Sequence, residues 1–344
     1  MRVLLIKLTS MGDLLHVMPA LSDLQAHLPG VEVDWLVEDS FAEVPTWHPL
    51  IKRVIPVATR RWRRPGRKHV GQIRDSWKRL RSERYDVVLD AQGLMKSALL
   101  ARLVKLNQGG FRAGFSASSI KESPAARLYT STADIARDQH AVPRLRQLFA
   151  QIFGYEIDTS TPDYQIQLGQ NQARHCDSRS ILLLHGTTWP SKHLPVSLWR
   201  QFATLAGNAG YDVKLFSSSE AEHERAMSIA TTHANAAVLP PLSLNQVAHE
   251  INSAAACIAV DTGLAHIAAA LATPCASIYG ATDARLTGAV GGNQTLVQTN
   301  YPCSPCLLKR CDKIDHDSSD PPCYLTISPE KIWGALSQQL VAAG

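Results

Sequence analysis

An α/β protein of two doubly wound, Rossmann-like domains is the fold class this sequence predicts, on three observations. Short β-rich runs alternate with apolar residues at helical spacing. That alternation breaks once, in a polar stretch at residues 154–179, and then restarts. The length agrees, because 344 residues exceed one ordinary core and suit two.

Residues 2–8 form a buried strand candidate, and apolar residues at helical spacing follow from 14 to 28. Further strands are expected at 31–37, 53–57 and 85–90, each bounded by polar or turn-forming residues. The stretch 154–179 contains the turn-prone Thr161-Pro162-Asp163 and reads as the linker. Beyond it, strands at 180–184, 211–216, 236–239, 255–260 and 275–279 alternate with helices at 195–206, 220–231, 243–251 and 264–271. An amphipathic stretch at 329–341 is a terminal helix. The expected division is therefore 1–165, 166–328 and a final helix 329–344. Two such sheets in series predict a ligand in the crevice between them, at the carboxyl ends of the strands.

Composition narrows the function classes. A hydrophobic fraction of 45% with 19% charged residues is that of a globular protein. No apolar run reaches the roughly 18 residues of a membrane-spanning helix. The opening run is short, broken by Lys7, and lacks the features of a signal peptide, so a cytoplasmic location is expected. The seven cysteines are odd in number, and a disulfide framework is not expected in so large a chain in a reducing compartment. The net charge of +5 is unevenly spread: residues 52–84 carry thirteen Lys or Arg against Asp75 and Glu83. That concentration suits an anionic partner such as nucleic acid, a phosphorylated substrate or an acidic membrane surface.

Several turns carry chemistry. The first βα turn, Lys7-Leu8-Thr9-Ser10-Met11-Gly12-Asp13, lacks the glycine pattern of a dinucleotide site. Ser10 and Asp13 have capping-box spacing, and the same carboxylate at a strand-to-helix turn also suits a general base. The turn Asp261-Thr262-Gly263-Leu264 opens a helix whose free N–H groups favour a pyrophosphate, although an ordinary aspartate cap has the same pattern. His266 follows one turn later and is equally readable as a buried histidine. Thr187, Thr188 and Lys192 follow the first strand of the second half, where hydroxyls and a lysine can hold phosphate. Glu222 sits in a serine-rich turn where a carboxylate could accept ribose hydroxyls or simply face solvent. Arg60, Arg61, Arg63 and Arg64 surround Trp62, and their guanidinium forks suit carboxylates and phosphates. No nucleic-acid module accompanies them. Cys303, Cys306, Cys311 and Cys323 could bind Zn²⁺ tetrahedrally, but the spacing departs from finger patterns and Pro305, Pro321 and Pro322 make the loop irregular. Reduced, inert thiols are the expectation there, with no metal.

Ser10-Met11-Gly12-Asp13, the stretch from Val37-Glu38-Asp39 to Arg64, Asp90-Ala91-Gln92-Gly93-Leu94 with Lys96-Ser97, and Asp261-Thr262-Gly263-Leu264 together resemble the bacterial lipopolysaccharide heptosyltransferases of glycosyltransferase family 9. The likeness spans nearly the whole chain. It implies a GT-B fold: an N-terminal acceptor domain and a C-terminal ADP-heptose domain facing a central cleft, with the last helix packing back on the first domain. It implies an inverting transfer with Asp13 as base and Lys192 at the diphosphate. Thr187, Thr188, Thr262 and Gly263 fall on the diphosphate loops, and Asp261, Leu264 and His266 fall with the donor site. Glu222 falls on the ribose and Leu242 on the adenine, while Ser10, Arg60, Arg61, Arg63 and Arg64 fall on the acceptor side. The implied donor is ADP-L-glycero-β-D-manno-heptose and the implied acceptor is Kdo2-lipid A, met at the cytoplasmic face of the inner membrane. No cofactor, metal or nucleic acid is required. Another core heptosyltransferase, or a GT-B nucleotide-sugar epimerase, remains the alternative.

Overall fold

The structure, a computed structural model, describes residues 1–62, 68–158, 161–169, 179–314 and 320–343. The chain divides into two compact units, Met1–Gln167 and Leu168–Gly344.

The first unit runs β1 (Arg2–Ile6), α1 (Met11–His27), β2 (Glu32–Glu38), β3 (Ile51–Val57), α2 (Thr59–Trp62), α3 (Lys68–Leu80), β4 (Arg84–Asp90), α4 (Met95–Leu103), β5 (Lys105–Phe115), β6 (Ser131–Ala133) and α5 (Ala141–Phe153). Its six strands are parallel and ordered β3-β2-β1-β4-β5-β6. A parallel sheet is covered on both faces, which is why β1 is apolar without alternation and Val3–Ile6 are buried. Sequence reading did not mark β5. Its Asn107-Gln108-Gly109-Gly110 stretch is polar, and a Cβ at Gly110 would stand 2.8 Å from the Tyr85 carbonyl oxygen. Only glycine allows that approach, at a shift in the β4–β5 register between Tyr85 and Val87.

The second unit runs β7 (Ser180–Leu184), α6 (Val196–Asn208), β8 (Asp212–Leu215), α7 (Glu220–Ala230), β9 (Ala236–Val238), α8 (Leu244–Ser253), β10 (Ala256–Val260), α9 (Gly263–Ala270), β11 (Cys275–Tyr279), α10 (Ala284–Thr287), β12 (Gln294–Gln298) and α11 (Pro329–Ala343). Its strands, also parallel, are ordered β12-β11-β10-β7-β8-β9. Numbered within each unit, both sheets read 3-2-1-4-5-6. The terminal helix belongs to this second unit. Ile332 and Leu336 are buried in its core with Trp199 and Phe202 of α6. Among the described residues no helix is long and apolar enough to cross a membrane.

One buried polar group in the first unit makes folding acid-sensitive. The His48 ring takes the Leu50 N–H at Nδ1 (3.2 Å) and meets the Ser22 hydroxyl at Nε2 (3.1 Å). Burial lowers its pKa from 6.5 to about 4. Between those values the unfolded chain binds the proton and the folded chain does not, so stability is full above pH 6.5 and drains away on acidification towards pH 4. The loss reaches up to about 3 kcal/mol. Melting temperature measured across this window should fall, and less steeply in His48→Gln. The same slope in that variant would exclude His48 as a source.

Candidate functional site

In a 3-2-1-4-5-6 sheet the chain reverses direction between the first and fourth strands, and the loops leaving their carboxyl ends open outward there. In the first unit those loops follow β1 and β4, and they are bonded to each other. The Gln92 side-chain carbonyl accepts from the Leu8 and Thr9 N–H groups at 3.0 and 3.2 Å. The Gln92 and Gly93 N–H groups donate to one oxygen of Asp90, at 2.8 and 3.1 Å, while the Tyr129 hydroxyl donates to the other at 2.6 Å. Asp90 is fully buried, which pushes its carboxyl up from the usual range. Lys7 Nζ donates to the Ala91 carbonyl at 3.1 Å.

This frame carries Asp13. Its Oδ2 accepts the Ser10 N–H at 2.8 Å and the Ser10 hydroxyl at 2.9 Å, which ties the carboxylate to the start of α1. Oδ1 stands 3.9 Å from Lys7 Nζ, beyond hydrogen-bond reach, so it retains lone pairs for another proton. The Asp13 side chain is 42% exposed and borders a cavity of about 260 Å³. Lys121, Arg137 and Arg144 line the same cavity. Arg144 stacks on Phe115 at 5.1 Å and donates to the Ser119 carbonyl at 2.7 Å, which leaves its buried Nε unpartnered. Burial, and then the neighbouring Arg137, pull the Arg144 guanidinium below its usual pKa. An anion entering the cavity would relieve both effects.

Arg60 and Arg61 lie in α2, at the same carboxyl edge. Buried Glu38 accepts the Thr59 hydroxyl (2.6 Å) and the Arg60 N–H (2.9 Å), so the acidic end of β2 fixes the start of this short helix. The Arg60 guanidinium sits over Phe41 at 5.8 Å, and Arg61 is paired with Asp39. Arg63 and Arg64 lie outside the described residues.

In the second unit the equivalent loops follow β7 and β10. The Thr187 hydroxyl donates to the Asp261 carbonyl at 3.1 Å, and Lys192 Nζ lies 2.6 Å from the Asp261 carboxylate. Both charged side chains are mostly covered, at 14% and 10% exposure. Thr282 donates to the same carboxylate, and Lys192 stands 4.5 Å over the Trp189 ring. Asp261 is therefore a positioning group for Lys192 in this arrangement. Thr262 precedes the first turn of α9, and Thr262, Gly263 and Leu264 are all partly exposed, so the free N–H end of the helix is reachable. His266 is buried one turn further in, as the plain reading of that residue expected.

Glu222 accepts the Ser218 N–H at 2.9 Å, and a Cβ at Gly186 would stand 2.9 Å from its Oε1. Glycine at 186 is what lets this carboxylate lie over the loop after β7. Thr188 is exposed, and Leu242 is half-buried in the turn before α8. His185, beside Glu222's loop, bonds the Phe216 carbonyl at 3.0 Å, and burial lowers its pKa.

Lys7 and Gln92 stand in turns that the sequence singled out, but without a role of their own. Arg137, Arg144 and Thr282 were not singled out, because they are placed by residues distant in the chain. The four clustered cysteines line one small void with Ser191, and burial plus the other three thiols push the Cys323 thiol up to about 11.

A model of glycosyltransferase family 9 (heptosyltransferase) matches residues 73–315. The chain is 42% identical over 353 residues to lipopolysaccharide heptosyltransferase 1 of Pseudomonas aeruginosa, covering 99% of each. Among solved structures it is similar to E. coli heptosyltransferase WaaC with ADP, with a TM-score of 0.82, 39% identity, and coverage of 87% of this chain and 94% of that one. The same E. coli protein with ADP-2-deoxy-2-fluoro heptose matches over the whole of both chains, with a TM-score of 0.80 and 35% identity.

Proposed function

Because the chain belongs to glycosyltransferase family 9, the heptosyltransferases, we propose that it moves L-glycero-D-manno-heptose from ADP-heptose to a Kdo hydroxyl of Kdo2-lipid A. The observation that carries the acceptor half is the cavity beside Asp13, where Lys121, Arg137 and half-buried Arg144 meet the one exposed carboxylate of the loop after β1. Such a lining suits a sugar acid: cations take its carboxylate while Asp13 faces a hydroxyl. Arg60 and Arg61 extend the positive edge towards lipid phosphates. The donor half is supported by relatives solved with ADP and an ADP-heptose analogue.

The reaction is a single in-line displacement. Asp13 Oδ1 takes the proton of the acceptor hydroxyl as that oxygen bonds to the anomeric carbon. The bond from that carbon to the diphosphate breaks, and its electron pair leaves with ADP. Lys192 and the N–H groups at the start of α9 stabilise the charge on the departing diphosphate. Thr187 and Thr188 offer hydroxyls to it, Glu222 accepts from the ribose, and Leu242 packs on the adenine. Inversion at the anomeric carbon follows from attack opposite the leaving group.

The enzyme meets its lipid substrate as a peripheral protein at the cytoplasmic face of the inner membrane. Helix α3 and the turn that follows it support that placement, since Arg74 and Lys78 on the helix and Arg81 just beyond it surround exposed Trp77.

The deciding experiment incubates the protein with ADP-heptose and either Kdo2-lipid A or lipid A without Kdo. Transfer is expected only with the first. Donor consumption without any acceptor would replace this reading with an epimerase. In Arg144→Ala the acceptor KM should rise about 10- to 100-fold, the worth of a lost charged hydrogen bond. Donor KM should stay put, and an unchanged acceptor KM would remove Arg144 from the acceptor site.

A further inference from the structure

The segment after β12 has no assigned role in sugar transfer, yet it holds the loop that carries Lys192. Ser191, the residue before that lysine, is buried. Its hydroxyl donates to the Leu308 carbonyl at 2.5 Å, and its N–H donates to the Lys309 carbonyl at 3.3 Å. The Tyr324 hydroxyl donates to the Ser191 carbonyl at 3.3 Å. Every polar group of Ser191 is thus occupied by Leu308, Lys309 and Tyr324, which belong to the described residues 303–314 and 320–324. The same segment bonds the loop after β11, through Leu307 N–H to the Ala281 carbonyl at 2.7 Å and the Ser304 hydroxyl to the Gly280 carbonyl at 2.8 Å.

What fixes this strap is not secondary structure. Among its described residues there is no helix or strand between β12 and the short turn Pro322–Thr326. It does carry four unpaired cysteines, Cys303, Cys306, Cys311 and Cys323. Although twenty residues separate the first from the last, all four border one void of about 10 Å³, the size of a single water or ion. Ser191 borders it too. Four sulfurs and no carboxylate make a soft, all-thiolate lining, which selects zinc-class ions over magnesium or calcium. Among the described residues no three metal-type side chains already form a ligand set, so the irregular loop must close slightly to bind.

We propose that Cys303, Cys306, Cys311 and Cys323 bind one zinc-class divalent ion, and that the ion fixes the strap which clasps Ser191 and so places Lys192. With four thiolates the coordination is complete and leaves no open position, so the ion's role is structural. Each thiol that ligates gives its proton to solvent. The site itself stands on the thiols alone; its effect on Lys192 rests on the donor function proposed above.

The test uses the full chain, stripped of metal and titrated with Co²⁺. The expected result is a thiolate-to-cobalt charge-transfer band that saturates at one equivalent and disappears on adding Zn²⁺. Cys306→Ser and Cys311→Ser should each abolish it with the circular dichroism spectrum retained. If either variant fails to fold, the wild-type titration still decides, since no band, or a band without a one-to-one end point, overturns the site. Affinity for ADP is then measured with and without Zn²⁺. Loss of the ion should weaken ADP binding about tenfold, as disturbing a supporting shell does, and Zn²⁺ should restore it. Equal ADP affinity in both states overturns the positioning role. Failure of the zinc-loaded protein to bind ADP at all would count against the donor assignment, which the cobalt band does not depend on.

Discussion

Replacing Asp13 with asparagine should lower turnover by about 10²- to 10⁴-fold, the usual contribution of a general base, with ADP affinity unchanged. Asparagine is the informative substitution because Asp13 has two duties. Its Oδ2 accepts both the N–H and the hydroxyl of Ser10, and an amide oxygen can still accept them. Alanine would remove the cap as well, at about 1 kcal/mol of helix stability. The capping role predicts an active, slightly less stable asparagine variant; the base predicts a folded, inactive one. Steady-state rates alongside melting temperatures separate the two. Turnover near the wild-type level in Asp13→Asn would end the case for Asp13 as base.

Replacing Lys192 with alanine should be costly in two separable ways. Lys192 and Asp261 are 2.6 Å apart and mostly covered, so removing the cation strands a carboxylate that keeps the Thr282 hydroxyl as a donor but loses its counter-charge. Breaking such a pair costs about 3 kcal/mol or more, which lowers the melting temperature by about 6–12 °C for a unit of this size. Turnover should fall about 10²- to 10³-fold through lost stabilisation of the leaving diphosphate. Asp261→Asn isolates the first effect, because it leaves the lysine in place while discharging its partner. Equal rate losses in both variants would show that lysine acts through structure and not through the diphosphate.

Much of this was readable before the structure. The central strands β1, β7, β10 and β11 are apolar but for one residue at most, as a sheet covered on both faces requires, while β2 and β4 keep an apolar stretch between charged residues. The sheet edges were harder. β6 and β9 span three residues each, and β12 is only partly covered, so none needs a distinctive apolar run. In the site, local turns were legible: Ser10 with Asp13, and Asp261-Thr262-Gly263, are within one turn of chain. Partnerships across the sheet were not. Thr282 reaches Asp261 over 21 residues, and Gln92 reaches Leu8 over 84. Arg144 carried no signal in the sequence, because its contact with Phe115 is made only when β5 and α5 come together. Of the arginine loop, Arg60 proved to be anchored through its backbone by Glu38, which no spacing rule would suggest.

The repeated 3-2-1-4-5-6 order divides the labour of the chain between two kinds of position. Core side chains in each unit answer to packing, and a change there is felt in stability wherever it falls. The loops leaving the carboxyl ends of the strands answer mainly to ligands. One plan, used twice, carries two different rims: clustered cations and a carboxylate in the first unit, a lysine, hydroxyls and a bare helix start in the second. Substitutions at a handful of rim positions can therefore change what is bound while both cores stay as they are.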